Sequence, residues 1–124
     1  MRKNRPINLN LFAIRFPVTA IISILHRISG VILFLFIVLL LYALELSLQS
    51  PASFSSLQQF FQNGFIKFLI WGFLSSLIFH VFAGIRHLIM DLGWGEEKHV
   101  AKISSWLVIL LVLITSIGLG IRIW

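Results

Sequence analysis

The chain has 124 residues, of which 59% are hydrophobic and 11% are charged. This composition excludes a soluble domain of this size and predicts a single domain that crosses a membrane several times. The net charge of +6 does not indicate nucleic-acid binding, because basic residues cluster before the first apolar run, as in a cytoplasmic anchor. That basic tail consists of Arg2, Lys3, Arg5 and Arg15. Cysteine is absent, which excludes disulfides and thiolate metal ligands within these residues.

The first element in chain order is an apolar run that predicts a membrane-spanning helix over residues 18–46. Its charge-free part extends from Ile28 to Leu44, and a span takes roughly 20 residues. The run is too long for a strand and is rich in Leu, Ile and Phe, so we expect a helix. The basic tail and apolar run resemble a signal peptide, but no small-x-small cleavage site follows. We therefore expect an uncleaved anchor.

The next element is a short helix that we predict over residues 51–61. Ser50 followed by Pro51 is typical of an N-cap and a first helical residue. Four apolar side chains then recur at helical spacing, which predicts a helix lying in the membrane interface. These side chains are Phe54, Leu57, Phe60 and Phe61.

Two further membrane-spanning helices are predicted over residues 65–90 and 103–122. Lys98 and Lys102 lie in the loop between them, whereas the loop over residues 47–63 contains no Lys or Arg. The positive-inside rule therefore predicts a cytoplasmic N-terminus and a C-terminus on the outer side. The fold class that we predict is an all-α membrane protein with three transmembrane helices.

A histidine lies deep in the second of these helices, on a stripe of small residues. Gly72, Ser76, His80 and Gly84 follow one another at intervals of four, so they share a helix face. His80 is 11 residues from Asp91, or ~16 Å from the cytoplasmic helix end. Ionisable residues at this depth usually mark function. Haem could lie against this shallow groove while His80 reaches its iron; helix packing by the small residues is the alternative.

Three more polar residues follow His80 towards the cytoplasmic end of the helix. His87 lies on the same face, seven residues further on, so it cannot bind the opposite side of the same iron. We expect it to contact a haem propionate, a partner chain or a polar network. Arg86 points away from that face, and we expect it to snorkel to the surface. We expect Asp91 to pair with Arg86 or with a basic residue of a partner.

A second polar group lies near the cytoplasmic start of the first helix. Ser23 and Arg27 are an i, i+4 pair on one face, with His26 beside them. A hydroxyl and a guanidinium suit the carbonyls of a quinone head group, and the cation also suits a haem propionate. The alternative is that Arg27 only marks the membrane interface. We expect His26 to lie too shallow to match His80, which makes it a poor second axial ligand.

Together, these two regions closely resemble the cytochrome b-type large membrane-anchor subunit of succinate dehydrogenase. The resemblance covers the whole chain in length, helix number, topology and motif placement. The motifs that carry it are Arg5-Pro6-Ile7, then Ser23-x-x-His26-Arg27-x-Ser29-Gly30, then His80-x-x-x-Gly84-Ile85-Arg86-His87-Leu88-x-Met90-Asp91-x-Gly93.

This resemblance implies a function and a set of site residues. His80 would be an axial ligand of haem b, Ser23 and Arg27 would line the ubiquinone site, and His26 and Arg27 would approach the haem propionates. The other axial histidine would come from a second, smaller anchor subunit. A flavoprotein and an iron–sulfur subunit would complete the complex on the cytoplasmic side. Succinate would be oxidised on the flavoprotein, so this chain would have no dehydrogenase active site of its own.

Other functions remain open at this stage. The anchor of a fumarate reductase can share this architecture, and a purely structural anchor would bind no haem. A small proton-conducting or transport subunit would use His80 and Asp91 as a relay, but it would need more polar residues than the third helix offers. Because no transit-like leader is visible, we expect a multi-pass protein of a bacterial inner membrane.

Overall fold

The computed structural model describes residues 15–124, and within this range the chain is entirely helical apart from short connections. The helices are α1 (Val18–Gln49), α2 (Pro51–Phe61), α3 (Gly64–Asp91) and α4 (Lys98–Ile123). Three of them, α1, α3 and α4, are long and apolar enough to cross a bilayer. The predicted all-α class with three spanning helices is confirmed. Arg2, Lys3 and the Arg5-Pro6-Ile7 motif lie outside the described residues.

The N-cap predicted at Ser50 separates α1 from α2. The Ser50 hydroxyl accepts a hydrogen bond from the Ser53 backbone N–H (3.1 Å), and the Ser53 hydroxyl accepts one from the Ser50 backbone (3.0 Å). Ser50 is extended (φ −164°, ψ 160°), as expected of a residue before proline. Nothing earlier in the sequence breaks the helix, so α1 continues to Gln49, three residues past its predicted end.

A tight turn connects α3 and α4. Gly93 and Gly95 have positive φ values of 84° and 76°, a conformation that glycine adopts without steric cost. α4 begins at Lys98, five residues before its predicted start. The predicted start was set by the beginning of the apolar run, whereas the helix also includes a polar first turn that precedes this run.

The helices pack around a small core in which α3 contacts both α1 and α4. Ile22, Ala83 and Val108 form its buried centre, one residue from each spanning helix. Large apolar side chains such as Phe34, Leu48 and Ile121 are exposed around the outside. This surface suits contact with lipid or with other membrane chains, since water would solvate it poorly.

Candidate functional site

The site is organised by two histidines on α1 and α3 whose rings stack on each other. The ring centroids of His26 and His80 are 4.2 Å apart, and their planes differ by 14°. Glycines make this approach feasible. A Cβ atom on Gly84 would lie 3.2 Å from Nε2 of His26, and one on Gly30 would lie 3.2 Å from Cε1 of His80. Each ring therefore occupies the space left by a glycine on the opposite helix.

Hydrogen bonds to α1 fix the orientation of the His80 ring. Its Nδ1 lies 2.9 Å from the Ser29 hydroxyl and 3.2 Å from the carbonyl oxygen of His26. The Ser29 hydroxyl donates its proton to the same carbonyl (2.7 Å). Both neighbours of Nδ1 therefore act as acceptors, so Nδ1 carries the proton of the neutral ring. Nε2 of His80 keeps its lone pair and makes no hydrogen bond with any residue in 15–124.

His87 joins this cluster through His26. Its ring meets that of His26 edge to face, with centroids 5.2 Å apart and planes at 62°. All three imidazoles are half-buried. Within residues 15–124, the His, Asp and Glu side chains form no group of three or more that could hold a metal ion by itself. The cluster thus offers single ligands and polar contacts, and it does not form a complete cage for a bare ion.

The expectation that His26 lies too shallow to match His80 is wrong. His26 is eight residues inside α1, which is about 12 Å from the helix start. The prediction placed His26 at the cytoplasmic entry of the first helix, whereas the packing of α1 against α3 brings its ring level with that of His80. The stacked geometry, and not depth, excludes His26 as a ligand on the opposite side of a metal ion held by His80. The nitrogen lone pairs lie in the ring planes, so stacked rings do not face each other across an iron.

The expected open groove along α3 is only partly present. Gly72 faces open space, but Gly84 is covered by the His26 ring of α1. Ser76, between them, is half-buried. Small residues at the Gly84 end therefore serve helix packing, the alternative reading of the stripe, while the space near Gly72 stays free.

Ser23 and Arg27 lie one turn apart on α1, beside the histidine cluster in sequence. Ser23 is half-buried and Arg27 is exposed. Their side chains make no hydrogen bond or ion pair with another residue in the described part of the chain. The hydroxyl and guanidinium are therefore available to a group from outside this range.

The expectation that Arg86 snorkels to the surface is wrong. Its side chain does not snorkel to the surface but is 6% exposed between α3 and α4. Nε donates to the Ser104 hydroxyl (2.9 Å), and Nη2 donates to the Ala101 carbonyl oxygen (3.0 Å). Asp91 is exposed and forms no ion pair with Arg86. The residue faces α4 because the small side chains at Ala101 and Ser105 leave room for it there.

Ser29 and Gly30 are site residues whose roles the sequence analysis missed. The sequence contains a pattern that points to Gly30, because His26 and Gly30 have the same four-residue spacing as His80 and Gly84. Two such pairs on antiparallel neighbouring helices place each histidine opposite the other helix's glycine. Without knowing that α1 and α3 are neighbours, the sequence does not reveal this match.

The fold and this site define a helical multi-pass membrane protein with a histidine cluster between two of its spanning helices. A sequence model of the succinate dehydrogenase/fumarate reductase transmembrane subunit family matches residues 1–119. The chain belongs to this family.

Several relatives support the same assignment. A succinate dehydrogenase cytochrome b556 subunit of Coxiella burnetii is 45% identical over 125 residues, which covers 100% of both chains. A cytochrome b556 subunit of Paracoccus denitrificans is 36% identical, over 84% of this chain and 80% of the relative. A cytochrome b560 subunit of Reclinomonas americana is also 36% identical, over 88% of this chain and 79% of the relative.

Proposed function

We propose that this chain is the cytochrome b-type membrane-anchor subunit of a succinate dehydrogenase, acting as a single anchor domain. In this function it binds haem b and forms part of the site at which ubiquinone receives electrons from succinate. Family membership and the names of the relatives support the enzyme. The orientation of the His80 ring is the observation that carries the haem assignment.

The His80 ring is held as a metal-binding imidazole is usually held. Such a ring donates the N–H of its other nitrogen to a carbonyl, carboxylate or water, which fixes the tautomer and the ring plane. Here Nδ1 of His80 is held by Ser29 and the His26 carbonyl, which leaves Nε2 for iron. His80 and its hydrogen-bond partners therefore fit a haem group. When bound, haem b supplies a one-electron couple whose potential depends on its axial ligands and burial.

Polar groups around His80 fit the remainder of such a cofactor. His26, His87 and Arg27 would contact its propionates, since a guanidinium and imidazoles bind carboxylates. The stacked and edge-to-face rings do not offer a second nitrogen opposite His80. This geometry supports a second axial histidine from another, smaller anchor subunit.

Ser23 and Arg27 would form one wall of the quinone site. Both lack hydrogen-bond partners among residues 15–124, so neither has to break a bond within this range to bind a head group. The Ser23 hydroxyl would donate a hydrogen bond to a quinone carbonyl. The Arg27 charge would stabilise negative charge that develops on that oxygen as it is reduced.

The chain's surroundings follow from the same function. An iron–sulfur subunit and a flavoprotein would dock on the cytoplasmic side, next to the end that carries Arg27. The N-terminus would be cytoplasmic and the C-terminus outside, in a bacterial inner membrane. The exposed apolar surface of α1 and α4 supports contact with lipid and a second anchor chain.

Two alternatives are distinguished by specific observations. The family also covers fumarate reductases, so the preferred direction of catalysis with a low-potential quinone separates the two enzymes. A proton-conducting subunit is disfavoured, because α4 carries only four hydroxyl side chains, and three of them donate to carbonyls of their own helix. These three are Ser104, Ser105 and Thr115, and the fourth is Ser116.

The experiment that tests the proposal is the visible absorption spectrum of the purified assembled complex, measured together with its activity. We expect reduced b-type bands in a preparation that transfers electrons from succinate to ubiquinone. A complex with full activity and no b-type bands would identify a purely structural anchor. Bands without any succinate oxidation would point to a different enzyme.

A further inference from the structure

Arg86 is a buried cation that the proposed function does not use. It is 6% exposed, and charged side chains within membrane-spanning helices are costly unless they are paired. Its two bonds go to a neutral hydroxyl and a neutral carbonyl, Ser104 and Ala101. The positive charge is therefore not compensated by a carboxylate within the described part of the chain.

The guanidinium also keeps hydrogen-bonding capacity. Arginine has five N–H donors, of which two are used. Nη1 of Arg86 has no acceptor among residues 15–124, since the two bonds of the side chain come from Nε and Nη2.

The Arg86 side chain lines a cavity between α3 and α4. The cavity has a volume of about 290 Å³, and among residues 15–124 Arg86 is the one charged residue that lines it. The rest of its wall is mostly apolar, including Phe82, Ile89, Trp94 and Leu107. A single cation in an apolar cleft suits a ligand that joins one anionic group to hydrocarbon.

The depth of Arg86 matches the phosphate layer of a bilayer. It is five residues from the end of α3 at Asp91, or roughly 7.5 Å along the axis. The hydrocarbon core is about 30 Å thick and the whole bilayer about 40–45 Å, so this position is at the boundary between acyl chains and head groups. Trp94 at the rim is typical of that boundary.

We propose that this cavity binds an anionic phospholipid, whose phosphate accepts hydrogen bonds from the Arg86 guanidinium and whose acyl chain lies along the apolar wall. A guanidinium donates to phosphate oxygens through two parallel N–H groups. Lys98 and Lys102 on the first turns of α4 add positive potential at this end of the helices. They favour a head group with net negative charge over one that carries its own ammonium.

The test measures lipid rebinding to the whole complex after detergent has removed its native lipid. Phosphatidylglycerol or phosphatidylcholine is added back, and the lipid bound per complex is counted by native mass spectrometry. We expect Arg86→Gln to weaken phosphatidylglycerol binding about tenfold, as for the loss of a charge-assisted bond. Arg122→Gln removes an equal charge from an exposed position at the other end of α4 and is the matched control, with an expected change of less than about twofold.

A second pair of variants keeps the test valid if Arg86→Gln does not assemble. Leu107 lines the cavity, so Leu107→Trp should fill it and weaken phosphatidylglycerol binding to a similar extent. Leu110 is exposed on the same helix and does not line the cavity, so Leu110→Trp should bind as the unaltered complex does. The b-type spectrum should stay unchanged in all four variants, which separates this site from the haem.

Three outcomes would overturn the proposal. Arg86→Gln that assembles and binds phosphatidylglycerol normally would leave Arg86 as a clamp between helices. Equal binding of phosphatidylcholine would remove the preference for an anionic lipid. Competition by inorganic phosphate at millimolar concentration would identify a site for a free anion and not for a lipid.

Discussion

The rings of His26 and His80 stack 4.2 Å apart, and each ring lies over the glycine that follows the other histidine by four residues. His26 covers Gly84 and His80 covers Gly30. This reciprocal contact joins α1 to α3 and fixes the ring that we assign to iron. The same small set of residues therefore serves helix packing and ligand orientation, and its members can be tested one by one.

Enlarging Gly84 should disturb the site, whereas enlarging Gly72 should not. A Cβ on Gly84 would lie 3.2 Å from the His26 ring, while one on Gly72 would meet no atom within 4 Å. We expect Gly84→Val to displace His26 and lower the haem content and thermal stability of the assembled complex. Gly72→Val is the matched control on the same stripe. Equal haem content in the two variants would show that the stacked contact does not matter for binding.

Removing the Ser29 hydroxyl should weaken haem retention. This hydroxyl accepts from Nδ1 of His80, and loss of such an outer partner typically lowers metal affinity by about tenfold or more. We expect Ser29→Ala to lose haem faster than the unaltered complex when it is challenged with a haem-scavenging protein. Ser29→Thr keeps a hydroxyl and should restore retention. If Ala and Thr behave alike, the effect comes from packing and not from the hydrogen bond.

Loss of Arg27 or Ser23 should separate two activities of the complex. Each side chain would interact with the quinone oxygen as charge develops there, so Arg27→Ala or Ser23→Ala should lower ubiquinone reduction, on the order of a hundredfold. Succinate oxidation by an artificial dye should stay within about twofold, because it does not use this site.

Arg122→Ala provides the control for the Arg27 variant. Arg122 is exposed in the last turn of α4, away from the proposed quinone site. It should leave both activities unchanged. A parallel fall of both activities in the Arg27 variant would indicate failed assembly instead of a lost quinone contact.

The chain on its own should bind haem poorly. Hydrogen bonds at Nδ1 orient the His80 ring, and its two neighbouring rings are stacked or edge to face and do not face its Nε2. Haem titrated into the purified single chain should give no stable bis-histidine spectrum. A stable spectrum of that kind from a chain shown to be monomeric would contradict the need for a second subunit.

Much of the fold could be predicted because it depends on local patterns. Hydropathy located α1, α3 and α4, and Ser50-Pro51 located α2 through its cap. The position of Arg86 could not be predicted in this way. Whether a polar residue reaches water or a neighbouring helix depends on the facing surface, which here is the small-residue surface of α4 around Ala101.

The histidine cluster could likewise be predicted only in part from the sequence. The sequence singled out His80, His26 and His87 as polar residues in apolar surroundings, and the structure brings all three together. The predicted relative depth of His26 and His80 was wrong, because the offset between α1 and α3 along their axes is set by packing and cannot be read from either helix alone. The contact between His80 and Ser29 joins residues 51 positions apart, and no local pattern fixes such a distance.

The most direct test of the account is the reduced-minus-oxidised absorption spectrum of the assembled complex carrying His80→Ala. His99→Ala is the matched control, because His99 is exposed in the first turn of α4 and belongs to no cluster. We expect the b-type bands to be lost or greatly weakened in the His80 variant and retained in the His99 variant. An assembled His80→Ala complex with unchanged bands would contradict the assignment of His80 to iron.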